Sequence, residues 1–266
     1  MIVDCHAHAW PADAALSGER SYTPSVARTA SDYLAVLDAN GITHGVLVQP
    51  SFLGTDNSYV IASCAAHSDR LRGVAVVDPG VSDAALREMD RAGVVAIRLN
   101  LLTAKTLPDF DGPDYRALYG RIAKLGWHVE AHASGDLWPR LIRCVTGAGL
   151  DLVCDHFGKP DPERGLDCPG FRAILDAGKS ERVWACISGF YRQGGRDVRL
   201  YAEALLAALG PDRLIWASDF PFTRHEHEIQ YPMTLRSLEH CFADAALRKR
   251  IQGANAARRY RIPQPG

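Results

Sequence analysis

Val3-Asp4-Cys5-His6-Ala7-His8, near the start of the chain, is the stretch on which the reading of the fold turns. In an extended strand, side chains alternate between two faces, which would send Asp4, His6 and His8 the same way. Two imidazoles one pleat apart can close on a single metal ion, and neutral imidazole is a favoured ligand for zinc and its neighbours. Two ligands do not complete a site, so the chain must supply at least one more from elsewhere. Two histidines at a strand end making ordinary hydrogen bonds is the competing reading.

Outward from this stretch the chain alternates. An irregular segment follows from Trp10 to Thr29, and Ser31 then looks like the N-cap of a helix over Asp32–Asn40 closed by Gly41. Short β-branched runs at Ile42–Gln49, Arg72–Val77, Val94–Leu101, Trp127–Ala131, Leu150–Cys154, Val183–Ile187 and Leu214–Ala217 read as strands. Between them lie helical stretches at Asn57–His67, Asp83–Ala92, Asp114–Leu125, Leu137–Ala148, Phe171–Ala177 and Val198–Leu209, with Leu235–Cys241 and Ala245–Arg259 at the end. Strand and helix thus alternate about eight times with short connections, the pattern of a parallel α/β fold. A chain of 266 residues with that pattern fits one (β/α)8 TIM barrel over residues 1–266. An open doubly wound sheet would carry a Gly-x-Gly-x-x-Gly turn after an early strand, and none follows any strand here.

Composition narrows the function. A formal net charge of -1 without a basic block argues against nucleic acid as a partner. No apolar run reaches the ~18 residues of a membrane span, and no basic-then-apolar leader is visible. The seven cysteines are odd in number and form no Cys-x-x-Cys pair, so they read as reduced thiols in a cytoplasmic protein. Nothing in the pattern speaks to oligomeric state.

The strand ends are chemically loaded. In a barrel they converge on one face, which holds the active site. Strand 1 brings His6 and His8, strand 2 Gln49 and Ser51, strand 3 Asp78, and strand 4 Arg98 and Asn100. Strand 5 brings Glu130 and His132, strand 6 Asp155 and His156, strand 7 Ser188, and strand 8 Asp219. Any one of these could be an ordinary polar residue at a loop, but that reading accounts poorly for the set.

This order resembles the amidohydrolase superfamily of metal-dependent barrels, and within it the group of pyrone dicarboxylate and sugar lactonases. The resemblance covers nearly the whole chain. It is carried by His6-Ala7-His8, Val48-Gln49-Pro50-Ser51, Gly54-Thr55-Asp56-Asn57, Ile97-Arg98-Leu99-Asn100-Leu101, Asp155-His156-Phe157-Gly158-Lys159-Pro160-Asp161 and Trp216-Ala217-Ser218-Asp219-Phe220-Pro221. It implies a hydrolase that opens a carboxylated lactone with activated water. A non-oxidative decarboxylase on the same barrel and metal set is the alternative, and a non-catalytic binding protein a third. Strand 4 lacks the lysine or glutamate that bridges two metals in other members. One divalent ion, with zinc favoured by ligand type, is therefore implied on His6, His8, His132 and Asp219. A metal-free mechanism, as in part of the lactonase group, stays open.

The same resemblance gives Asp219 the role of general base and His156 that of stabilising the carbonyl oxygen. Ser51, Arg98, Arg192 and Tyr22 become candidates for gripping substrate carboxylates, with Thr55, Lys105 and Lys159 as further candidates and Arg20 nearby. For Arg98 the competing expectation is an internal salt bridge to Glu130 or Asp78. His225 and His227 read as loop lining, and His44, His67, His128 and His240 as structural.

Overall fold

The computed structural model describes residues 1–18, 20–102, 104 and 106–263. Eight strands, β1 Val3–Ala7, β2 His44–Val48, β3 Leu71–Ala75, β4 Val94–Asn100, β5 His128–His132, β6 Leu152–Cys154, β7 Val183–Ile187 and β8 Leu214–Trp216, lie in chain order in one sheet. Every neighbouring pair is parallel. The helices between and after them are α1 Ala30–Ala39, α2 Ser58–Ala66, α3 Asp83–Arg91, α4 Pro113–Lys124, α5 Leu137–Gly147, α6 Pro169–Asp176, α7 Val198–Leu209 and α8 Tyr231–Cys241. At the end, α9 Ala245–Arg250 continues through a π-turn, Ile251–Asn255, into α10 Ala256–Arg259. This is the (β/α)8 barrel that the alternation predicts. The α1 cap lies two residues earlier than expected: Thr29, not Ser31, accepts from the Asp32 N–H, and Asp32 answers by accepting from the Thr29 N–H. That reciprocal box satisfies two backbone donors, where Ser31 would satisfy one.

Two apolar layers hold the barrel. Outward-facing Leu47, Leu71, Ile97, Val129, Leu152, Ala185 and Trp216 pack against the helices. Inward-facing Val3, Cys5, Val46, Val74, Ala96, Val153 and Ile215 meet Ala256, Ala257 and Tyr260 of the C-terminal helix. All seven cysteines are free. Among the described residues no helix is long and apolar enough to cross a membrane.

The first strand departs from strict alternation. Its pairing with β2 runs Val3 to His44 and Asp4 to Gly45, then Ala7 to Leu47, so β1 carries one residue more than its partner between Asp4 and Ala7. Such a bulge shifts the side-chain phase by one. The expectation that Asp4, His6 and His8 share a face is therefore corrected. His6 and His8 face the barrel interior, whereas Asp4 faces the helical layer and accepts from Tyr231 of α8 at 2.9 Å.

Asp4 also accepts from the Ser218 N–H at 2.7 Å and the Ser218 hydroxyl at 2.5 Å. Beyond β8, the Asp219 N–H donates to the His6 carbonyl at 2.9 Å and the His8 N–H to the Phe220 carbonyl at 2.7 Å. These bonds close the seam between the first and last strands. Replacing Asp4 with Ala strands three buried donors, each costing about 1–3 kcal/mol. Asp4→Ala should therefore lower unfolding free energy by at least about 3 kcal/mol, and Tyr231→Phe by about 1 kcal/mol, measured by urea denaturation.

Candidate active site

At the carboxyl ends of the strands a cavity is lined by His8, Tyr22, Ser51, Arg98, His132, His156, Arg192 and Asp219, all expected there, together with Ser21, Asn100, Thr223 and Arg224 among others. His6 lies just beneath, with its ring centroid 5.0 Å from that of His8 and 5.1 Å from that of His156.

Asp219 is the most heavily tied group. Its backbone is left-handed, at φ 65°. Oδ2 accepts from Arg192 Nε at 2.6 Å and from the Tyr191 hydroxyl at 2.7 Å. Oδ1 is left facing His156 Nε2 at 4.0 Å, too far for a hydrogen bond. Burial works to raise the carboxyl's pKa. The Arg192 guanidinium beside it more than offsets that, and the group stays well below the usual carboxylate range.

The histidines are held neutral. Burial, aided by the Arg98 charge, brings His8 down to about 4 and puts His6 well below its ordinary value. Burial likewise brings His156 to about 3 and lowers His132 strongly. The Val48 carbonyl lies 2.7 Å from His8 Nδ1. A carbonyl can only accept, so Nδ1 carries the proton and Nε2 presents a lone pair. His6 Nε2 and His132 Nε2 are buried without a partner among the described residues. His156 stands at φ 51° with Nδ1 2.9 Å from Ser188 Oγ. A Cβ at Gly189, itself at φ +61°, would come within 2.9 Å of that Nδ1, so the glycine makes room for the ring.

Ligand atoms of His6, His8 and Asp219 all lie within 4.8 Å of one another, as do those of His6, Asp155 and His156. Neutral imidazoles with orphaned nitrogens beside an ionised carboxylate are a donor set that suits a divalent cation. Three of the four expected ligands thus come together. His132 stands one ring further along, its centroid 5.0 Å from that of His156.

Below the cavity, Arg98 donates from Nε and Nη2 to Asp155 Oδ2, both at 3.3 Å. Its partner is Asp155, the residue just past β6, and not Glu130 or Asp78. Glu130 is fully buried and accepts from Tyr260 at 2.7 Å, and its Oε2, 3.8 Å from His6 Nδ1, has no hydrogen-bond partner among the described residues. Burial pushes both carboxyls up, and Asp155 lifts Glu130 further.

The structure places other candidates differently. Thr55 is exposed and does not line the cavity, while its carbonyl accepts from Asn57. The Lys159 ammonium donates to the Arg192 carbonyl, supporting that loop from behind. Tyr22 lines the cavity, but its hydroxyl donates to Glu226. Arg20 is exposed and donates to Thr23 and Ser17. Lys105 lies outside the described residues. Tyr191 and Arg224 were absent from the sequence candidates. Tyr191 adjoins Arg192, the one signal that could have flagged it, whereas nothing in the spacing marks Arg224.

An eight-stranded parallel barrel with histidines and an aspartate gathered at its carboxyl rim has the arrangement of a barrel enzyme, whose active site lies at that face. The chain belongs to the amidohydrolase family, whose model matches residues 3–262. It is 31% identical over 97% of its length to a 2-pyrone-4,6-dicarboxylate hydrolase of Comamonas testosteroni, covering 89% of that protein. It is 29% identical, again over 97% of its length and 89% of the relative, to a 4-sulfomuconolactone hydrolase of Rhizobium radiobacter. Among solved structures it superposes with a TM-score of 0.92, at 39% identity and covering 99% of this chain and 98% of the other, on a Pseudomonas putida protein provisionally named a 2-pyrone-4,6-dicarboxylic acid hydrolase.

The buried histidines set a pH dependence. A histidine with a depressed folded pKa binds its proton first in the unfolded chain, so unfolding takes up protons and stability falls as pH drops. For His8 the window runs from 6.5 down to about 4, and for His156 from 6.5 to about 3. His6, His128 and His132 act in the same direction. The raised carboxyls of Asp4, Glu130 and Asp155 act oppositely, losing stability as pH rises through their folded values, but they are fewer. The melting temperature of metal-free protein should therefore fall as pH is lowered from 6.5 to 4.5. A flat or rising profile by scanning calorimetry would contradict neutral buried histidines.

Proposed function

We propose that the chain is a lactonase that opens a lactone bearing a carboxylate, a 2-pyrone-4,6-dicarboxylate-like compound or a sugar lactone. The reading rests on the full-length similarity to lactone hydrolases and on one observation above all. Among the described residues Asp219 keeps one carboxylate oxygen without a hydrogen bond, next to His156, in a cavity lined by guanidinium groups.

Each residue then has a task. Tyr191 and Arg192 fix Oδ2, so Oδ1 is the atom that takes a proton from water and returns it to the departing ring oxygen. With Ser188 donating to Nδ1, His156 carries its proton on Nε2 and can donate it to the lactone carbonyl as negative charge develops. Arg98 and Arg192 are already balanced by Asp155 and Asp219. Neither Nη1 makes a hydrogen bond among the described residues, so each can still grip a substrate carboxylate. Ser51 adds a hydroxyl at the wall. We infer that His6, His8 and Asp219, with His132 adjacent, hold one divalent ion, zinc by ligand type. Such an ion supplies Lewis-acid polarisation and lowers the pKa of bound water.

The test is hydrolysis of a panel of carboxylated lactones, followed as proton release alongside metal analysis. One equivalent of metal is expected. His6→Ala should abolish its binding, because His6 belongs to both possible ligand clusters, while His132→Ala should weaken it less. Asp219→Asn keeps the shape and removes the proton acceptor. It should cut kcat by at least about 100-fold, the lower bound for general-base catalysis, in protein that still folds but melts lower, because Arg192 loses its buried charge partner. Bicarbonate release in place of proton release would return the decarboxylase chemistry. Near wild-type turnover in folded Asp219→Asn would remove the base assignment.

A further inference from the structure

Three guanidinium groups line the cavity, and they are not equivalent. Arg98 is paired with Asp155 and Arg192 with Asp219. Among the described residues, Arg224 has no carboxylate within ion-pair distance. It donates from Nη2 to the Ser21 carbonyl and sits 5.9 Å from the centroid of the Tyr22 ring. The acidic residue nearest in sequence, Glu226, is held by the Tyr22 hydroxyl. One tyrosine therefore lies under the arginine and also occupies the carboxylate that could neutralise it.

The backbone supports this placement. Phe222 and Arg224 both adopt left-handed φ, at 66° and 74°, in the loop that follows Asp219. Non-glycine residues pay roughly 1–2 kcal/mol for that conformation, and such strain gathers where a side chain must be aimed. Arg224 reaches back to the 21–22 segment, and among the described residues its guanidinium makes one hydrogen bond, to the Ser21 carbonyl.

We propose that Arg224 reads a second anionic group on the substrate, beyond the carboxylate held by Arg98 and Arg192, and that Tyr22 keeps it available by holding Glu226. The inference rests on the lactonase reading and assigns within it the residue that would favour a ring with two anionic substituents over one with a single carboxylate. Because Arg224 is exposed, its contribution is that of a charged hydrogen bond at a rim. Arginine presents paired N–H groups that match a planar carboxylate or a sulfonate, which lysine does not.

The test needs no turnover. Benzene-1,3-dicarboxylate and benzoate are titrated into metal-loaded protein at low salt by calorimetry. Arg224→Met should weaken the dicarboxylate about fivefold, the loss of one partly exposed charged contact, and leave benzoate within about twofold. Tyr22→Phe should reproduce the loss, because Glu226 is then free to pair with Arg224. Adding Glu226→Gln to Tyr22→Phe should restore affinity, a rescue that a merely structural tyrosine would not show. Equal weakening of both ligands, no weakening of either, or a wild type without preference for the dicarboxylate would overturn the proposal. Loss of affinity in Tyr22→Phe that Glu226→Gln does not rescue would overturn the part given to Tyr22. A protein that passes these tests yet opens no lactone would lose the lactonase reading alone.

Discussion

The site depends on one seam. Past the end of β8 the chain runs beside β1, and the Asp219 N–H donates to the His6 carbonyl while the His8 N–H donates to the Phe220 carbonyl. Barrel closure and assembly of the site are therefore the same event: the bonds that remove the sheet's open edge also set an aspartate beside two histidines. Asp4 holds the junction from the helical side through Ser218 and Tyr231. A loosened seam would therefore separate the candidate ligands.

Charge in the interior is arranged in layers. Lowest are Glu130 and Asp155, raised by burial, with Arg98 balancing Asp155. Above them stand imidazoles kept neutral by the same burial and by Arg98. Highest is Asp219, kept ionised by Arg192 despite burial. Removing water raises the cost of every uncompensated charge, so each ionised group there has a named partner. The neutral rings between are the ones left with lone pairs to give.

Much of this was legible in the chain. Strand-helix alternation gave the barrel, and strand ends gave His6, His8, His132, His156 and Asp219, because a parallel barrel sends all those ends to one rim. The misplaced features share a physical cause: they depend on pairings between distant segments. A one-residue bulge turned Asp4 outward, and no local pattern announces an extra residue whose partner strand is some 40 positions away. Arg98 found Asp155 and not Glu130 or Asp78, since cross-barrel reach decides among carboxylates that spacing cannot rank. Thr55 and Lys159 lie in segments whose composition resembles site loops, yet the backbone points one to solvent and the other to a carbonyl. Arg224 sits in a loop with no periodicity to read.

The left-handed backbone at His156, Phe157 and Lys159, matched by that at Asp219, carries a further meaning. Above that backbone each side chain is tethered as well, His156 by Ser188 at Nδ1 and Asp219 by Tyr191 and Arg192 at Oδ2. Orientation of these two candidate groups is thus settled when the protein folds. A ligand entering the cavity would meet side chains already tethered, and its binding energy would not be drained into ordering them. The same rigidity implies narrow tolerance: a ring of slightly different shape cannot recruit the histidine or the aspartate by coaxing them into a new pose, so breadth of substrate, where this fold acquires it, must come from the loops around that fixed pair.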